Sequence, residues 1–228
     1  MDDTPTTQTT LGNVPPVLPV ISSKTRLAVE LSKLAVFENP NLASEQYPMD
    51  SETGAEVLWD AAFKGDIEGK TIADFGCGTG ILGIGALLLD AGHVFFVDSD
   101  EKVLETLKQN LTKYPFGDAS HSIHHVDVAD FAQKADIVIQ NPPFGTKKKH
   151  ADREFLVKAF GTADIIYTFH KTTSKEFIAA VAKDHGFTIT HYYEFDFPLK
   201  MEHLFHKHRI HRIKVGCWRL EKAQKTLP

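Results

Sequence analysis

Between Lys70 and Leu88 the chain runs Thr71-Ile72-Ala73-Asp74-Phe75, then Gly76-Cys77-Gly78-Thr79-Gly80, then Ile81-Leu82-Gly83-Ile84-Gly85-Ala86-Leu87. Few folds can hold such a stretch. It reads as a strand and an apolar helix, joined by a turn in which every second residue is glycine. Glycine there lets the backbone take left-handed conformations and come close to a ligand, both of which a Cβ would forbid. The same alternation continues downstream. Strands are expected at 70–75, 93–98, 121–128, 135–140 and 164–169, with helices at 80–91, 101–112, 152–163 and 173–185. Such alternation requires a mostly parallel sheet with helices on both faces. The last two strands, 187–195 and 208–219, have no helix-length segment between them and are expected to pair antiparallel. The expected fold class is therefore α/β, a seven-stranded mostly parallel sheet with its last strand antiparallel.

A chain of 228 residues with 42% hydrophobic content fits one globular domain with a sizeable core. Residues 1–20 are Thr- and Pro-rich with few apolar anchors and are expected to be a disordered tail. Residues 21–64 form an N-terminal helical extension, and 65–228 the main domain. In the extension, Leu27, Leu31 and Leu34 make an apolar stripe on a helix from Lys24 to Phe37, and Val57, Leu58, Ala61 and Ala62 face inward from a second helix. Cys77 and Cys217 make no disulfide framework, which suits a reducing compartment. The acidic start Met1-Asp2-Asp3 lacks the layout of a signal peptide, and no apolar run approaches the roughly 20 residues that span a membrane. An intracellular protein is expected, in the cytoplasm and nucleus or nucleolus if the source is eukaryotic.

The run Ala135-Asp136-Ile137-Val138-Ile139 closes on Gln140-Asn141-Pro142-Pro143-Phe144-Gly145-Thr146. An Asn-Pro-Pro-Phe turn at a strand's carboxyl end suits the gripping of a planar, weakly nucleophilic amino group. In an aromatic amine or a carboxamide the nitrogen lone pair is delocalised and must be localised before it can attack an electrophile. Acceptors aimed at the two amino protons favour that change, and the Asn141 side-chain oxygen and Pro142 carbonyl are the candidates. Phe144 can stack on a flat base, while Pro142 and Pro143 stiffen the turn before the ligand arrives.

The strand His93-Val94-Phe95-Phe96-Val97 ends at Asp98, whose carboxylate can accept both hydroxyls of a ribose. Gly78-x-Gly80-x-x-Gly83, with an acid about 20 residues on, is also a formal dinucleotide fingerprint. In that fingerprint the first glycine follows the strand directly, whereas Asp74-Phe75-Gly76 intervenes here, and a nicotinamide leaves the Asn-Pro-Pro-Phe turn without a task. S-adenosylmethionine, with its adenosine, methionine tail and transferable methyl group, accounts for both motifs. Asp74 would accept from the methionine amino group or from the glycine-loop amides, Asp98 from the ribose, and Asp127, in His125-Val126-Asp127-Val128, from the adenine amino group. The cofactor set is then Asp74, Gly76, Cys77, Gly78, Gly80, Asp98, Asp127, Val128 and Asn141.

The chain resembles the class I Rossmann-like methyltransferases of the Asn-Pro-Pro-Phe/Tyr amino-methylating group. Within it, the chain is similar to the small-subunit (18S-type) ribosomal-RNA N6-adenine methyltransferases of eukaryotes and archaea. The resemblance runs from about Leu27 to Leu220. It is most specific at Leu42 to Pro48 (with Glu45-Gln46-Tyr47-Pro48), Asp74 to Gly80, Asn141 to Lys147, and Asp152, Phe155 and Leu156. Phe169-His170-Lys171 and Phe205-His206-Lys207 also match, whereas Met49 stands where the family usually carries threonine. The resemblance implies a Rossmann-like fold, with Gln46 and Tyr47 covering S-adenosylmethionine from the extension. It implies N6-methyladenosine formation at one site in small-subunit ribosomal RNA, with Asn141, Pro142, Pro143 and Phe144 as the catalytic turn. A glutamine carboxamide, a guanine N2 or a non-catalytic role in ribosome assembly are the alternatives.

Twelve histidines invite a metal reading, but the late cluster His203, His206, His208 and His211 is mixed with Lys200, Lys207, Arg209, Arg212 and Lys214. That mixture suits a basic surface, and no metal is expected. A net charge of -5 gives no global attraction to nucleic acid, so RNA must be held locally. Lys147, Lys148, Lys149, His170, Lys171, His206, Lys207 and Arg209 are the candidate contacts. Trp59 and Trp218 read as packing residues. Finally, in the usual strand order of such a fold the third strand lies at a sheet edge, and it carries Ile123 and Val126 but no proline. The resemblance implies that a small zinc-containing activator protein of the Trm112 type extends the sheet there as a heterodimer partner.

Overall fold

A computed structural model describes residues 17–36, 49–143, 151–200 and 210–223. Two helices, α1 (Lys24–Leu31) and α2 (Ser51–Phe63), precede an alternating run: β1 (Thr71–Phe75), α3 (Ile81–Leu88), β2 (His93–Asp98), α4 (Glu101–Leu111), β3 (His121–His125) and β4 (Ile137–Gln140). Then follow α5 (Ala151–Thr162), β5 (Ile165–Lys171), α6 (Lys175–Asp184), β6 (Phe187–Lys200) and β7 (Ile210–Lys222). The seven strands form one sheet in the order β3-β2-β1-β4-β5-β7-β6. β1 to β5 run parallel, and β7 lies antiparallel between β5 and β6. The α/β class and the reversed last strand stand as expected from the sequence.

Alternate residues of each strand face opposite ways, which splits the core in two. One layer joins Ile72, Phe96, Ile139 and Tyr167 to α1, α2, α3 and α4; the other joins Phe75, Val138, Ile166 and Trp218 to α5 and α6. Leu27, Leu31, Leu34, Val57, Leu58 and Ala61 are all buried, as the apolar stripes require. Trp218 is fully buried and Trp59 packs edge-on against Phe63, 5.5 Å between ring centroids.

Three element boundaries differ from the sequence expectations, each for a local reason. α1 stops at Leu31 because the chain tightens, with Lys33 N–H donating to Glu30 O and Leu34 N–H to Leu31 O. β3 stops at His125 because Asp127 turns the chain into a 3-10 turn, Val128–Asp130, its carboxylate accepting from Ala129 N–H at 2.9 Å. No α-helix covers the described crossover from β3 to β4, residues 126–136. Phe131 lies there instead, with its ring 5.4 Å from Phe75, 5.5 Å from Phe95 and 5.3 Å from His124. β6 and β7 pair from Phe187↔Lys222 to Lys200↔Ile210, further than expected, whereas β5 accompanies β7 only as far as Lys171↔Val215.

The link between the extension and the sheet is fixed by a buried ion pair. Arg219 Nε and Nη2 donate to Asp66 Oδ2 and Oδ1 at 2.8 and 3.2 Å, and the Tyr167 hydroxyl donates to Oδ2 at 2.7 Å. Asp66 lies just beyond α2, while Arg219 and Tyr167 are cross-strand neighbours on β7 and β5.

Candidate active site

In the strand order the chain reverses direction between β1 and β4, which opens a crevice at their carboxyl ends. The candidate residues converge on it. Asp74 and Phe75 pair with Ile139 and Gln140, so the glycine turn that leaves β1 lies beside the Asn141 turn that leaves β4.

Gly76, Gly78 and Gly80 all have left-handed backbones, with φ of 64°, 54° and 89°. At Gly80 the requirement is doubled, because a Cβ would lie 2.2 Å from Leu107 Cδ1. The turn is pinned from beneath by Gly76 and Cys77 N–H groups donating to Val97 O. Asp98 ties it to β2: its Oδ2 accepts from Gly78 N–H at 2.9 Å and its Oδ1 from Asp100 N–H at 3.0 Å. A carboxylate has about four acceptor positions, so both oxygens keep capacity for ribose hydroxyls.

Asp74 is 1% exposed and its Oδ2 accepts from Gly83 N–H at 2.9 Å, in the first turn of α3. Burial raises its carboxyl to about 7, the negative charge of Asp98 adds to the rise, and the Gly83 amide opposes it. Burial also raises Asp98, and it pushes the Cys77 thiol up, which makes Cys77 a packing residue of the turn rather than a nucleophile. A pair of carboxyls whose ionised forms are disfavoured suits the end of a crevice that receives a ligand ammonium and hydroxyl donors.

Asp127 is exposed and caps its 3-10 turn, with Val128 buried behind it, so the third acid stands at the β3 end of the same crevice. Asn141 is half-buried, Pro142 buried and Pro143 half-buried directly after β4. Gln46, Tyr47, Phe144, Lys147, Lys148, Lys149, His206, Lys207 and Arg209 lie outside the described residues. Lys171 closes β5 half-exposed. His170 is corrected by its position: it is 2% exposed, its Nε2 lies 2.7 Å from the Thr168 hydroxyl, and burial lowers it to about 3. A neutral imidazole inside the sheet offers no charge to an RNA phosphate.

One residue of the site escaped the sequence reading. Asn110, fully buried on α4, accepts from Ala35 N–H at 2.7 Å and donates from Nδ2 to Ala35 O at 3.0 Å and Thr79 O at 2.9 Å. It clasps the end of the first extension segment to the glycine turn. The available signal was a single polar residue on the apolar face of an otherwise amphipathic helix, beside Leu107 and Leu111.

The methyltransferase small domain family matches residues 34–163 of the chain. A Methanocaldococcus jannaschii protein described as uncharacterized is 37% identical over 87% of this chain and 94% of its own. The rRNA N(6)-adenosine-methyltransferase METTL5 of Danio rerio is 34% identical over 81% of this chain and 92% of its own. Among solved structures, that of a candidate RNA methyltransferase from Pyrococcus horikoshii matches with a TM-score of 0.81 and 40% identity, over 90% of this chain and all of the other. Family and fold agree: the chain belongs to the methyltransferase small domain family, within the METTL5-related group, and is an S-adenosylmethionine-dependent methyltransferase.

Proposed function

We propose that the protein forms N6-methyladenosine at a single site in small-subunit ribosomal RNA. The observation that carries this reading is the place of Asn141 and Pro142, the two residues directly after the last β4 pairing and beside the glycine turn, where an amino acceptor and a sulfonium methyl can meet. The name borne by the Danio rerio relative supports adenosine as the acceptor.

An unpaired adenine is extruded from a loop or bulge and stacks on Phe144. Its amino protons are accepted by Asn141 Oδ1 and the Pro142 carbonyl, which returns the lone pair to nitrogen in line with the methyl. A direct displacement moves the methyl from sulfur to N6, and the sulfur leaves with the bonding pair. The added positive charge makes the N6 proton acidic, so it departs afterwards and needs no strong base beforehand. Asp74 and Asp98 hold the methionine ammonium and the ribose, and Gln46 with Tyr47 covers them. Lys147, Lys148, Lys149, Lys171, His206, Lys207 and Arg209 are the phosphate contacts.

A Trm112-type activator is the proposed protein partner, through β3. Val126 N–H donates to Asp98 O, so the amides of His121, Ile123 and His125 point away from β2, at the outer edge of the sheet. Ile123 and Val126 themselves pack against the core, so pairing there runs through the backbone.

The deciding experiment maps N6-methyladenosine in small-subunit rRNA with and without the protein, with nucleoside mass spectrometry to separate adenosine from guanosine products. Asn141→Ala is expected to abolish transfer and leave S-adenosylmethionine binding within about threefold, since only the acceptor side loses contacts. Radiolabel incorporation near wild type in that variant would overturn the mechanism.

A further inference from the structure

Behind the catalytic turn lies a row of polar side chains with no place in the cofactor site. Gln140, the last residue of β4, is fully buried and directly opposite Thr168 on β5. Its Nε2 donates to the Thr168 hydroxyl at 3.0 Å, and the same hydroxyl lies 2.7 Å from His170 Nε2. Thr168 is fully buried and His170 nearly so. Thr168 pairs in turn with Trp218 on β7, and the His170 ring meets the Trp218 ring edge-on at 6.0 Å. With the imidazole neutral, the Thr168 proton can go to Nε2 while Nδ1 carries the ring's own proton.

Two atoms of this layer, Gln140 Oε1 and Trp218 Nε1, are buried without a protein hydrogen-bond partner. An apolar layer of the same shape would avoid such orphans, so a chain that keeps them sacrifices stability for something else. The turn suggests what that is. Gln140 is the last residue of the β4–β5 ladder, and Pro142 and Pro143 have no N–H with which to extend it. The Gln140 side chain is thus the last cross-strand hydrogen bond before Asn141.

We infer that Gln140, Thr168 and His170 are positioning residues for methyl transfer: their hydrogen-bonded row fixes the end of β4 and so aims the Asn141 turn at the acceptor nitrogen. The inference rests on the methyl-transfer reading above. Removing the row tilts the turn without touching the cofactor, so kcat falls while cofactor affinity holds. Small misplacements of this kind are costly, about a hundredfold for roughly 1 Å.

The test uses the full chain, with its rRNA acceptor and any activator it needs, in four forms. Thr168→Val keeps the shape and deletes the hydroxyl; kcat is expected to fall about 10- to 100-fold with the dissociation constant for S-adenosylmethionine within about threefold. Thr168→Ser restores the hydroxyl and is expected to recover kcat to within about threefold of wild type. Gln140→Leu removes both the donor and the orphaned acceptor, so kcat falls as in Thr168→Val while Tm stays level or rises. That opposition is the signature a merely structural role would not give, and it holds the test if Thr168→Val fails to fold. Wild-type kcat in Gln140→Leu, or activity that falls only in step with Tm, overturns the inference. Transfer to an acceptor other than adenosine overturns the function reading instead, and the row is then scored on that acceptor; a wild type that methylates nothing overturns both.

Discussion

At Asp74 the proposed cofactor contact is set against the stability of the protein itself. A carboxyl raised from 3.8 to about 7 favours the folded state below pH 4, and that contribution is lost as the pH climbs through 7. At pH 8 the group is a buried carboxylate whose penalty is worth roughly 4 kcal/mol. Asp74→Asn is therefore expected to raise the Tm of the cofactor-free protein at pH 8, read by calorimetry, and to change it little at pH 4. In the proposed role of Asp74, the ammonium of S-adenosylmethionine would reverse the balance by stabilising the carboxylate. Binding should thus expel a proton below about pH 7, and affinity should fall up to about tenfold per pH unit as the solution is acidified further. Titration calorimetry in two buffers of different ionisation enthalpy would detect proton release at pH 6 and none at pH 8. Equal release at both would separate Asp74 from the ammonium. Asn110 carries the opposite kind of role: its loss strands the amide and carbonyl of Ala35 together with the Thr79 carbonyl. Asn110→Ala should cost about 2 kcal/mol or more in urea unfolding, with weakened cofactor binding because the glycine turn loses an anchor.

Among the elements, β3 is the one whose exposure has a cost. Its outward amides at His121, Ile123 and His125 form a short open edge. His125→Pro removes one of them and leaves the inward ladder alone, because Val126 N–H and not His125 N–H reaches Asp98. The variant should keep its Tm within a few degrees yet lose co-purification with a Trm112-type activator. Undiminished co-purification would place that partner elsewhere. Edge position was legible through the fold's usual strand order, since alternation of β and α segments implies a parallel sheet but does not say which strand lies at its rim. The places of the glycine turn, Asp98 and Asn141 at strand ends were legible too, because chain direction and turn chemistry restrict them there. What sequence reasoning could not reach was carried by long-range pairs. Arg219 reaches Asp66 across 153 positions and Asn110 reaches Ala35 across 75, and neither residue type announces its partner. Even the shortened β3 follows from a side chain, Asp127, chosen by its own turn instead of by the strand. His170 was misassigned for a related reason: a basic residue near a catalytic motif looks the same in sequence whether it faces solvent or a threonine.

For the molecule as a whole, the place of β7 between β5 and β6 matters beyond geometry. During synthesis the strands of the crevice, β1 to β5, appear first and can assemble in sequence. β6 follows but has no strand to join, because among the described residues it pairs with β7 alone. At roughly 5–20 residues per second, the wait for that partner lasts on the order of a second or more. Until β7 slides in, the nascent chain presents two bare edges, on β5 and β6, and lacks Val215, Cys217, Trp218 and Leu220, all fully buried in the finished protein. Each buried side chain of this kind contributes about 1.5–3 kcal/mol. A chain ending at residue 209 would contain every cofactor residue named above and still be expected in the insoluble fraction; recovery of such a fragment as a soluble, S-adenosylmethionine-binding monomer would refute this. The last strand to be made is the one that closes the sheet, so an interrupted copy of this protein is less a weakened enzyme than a sticky one.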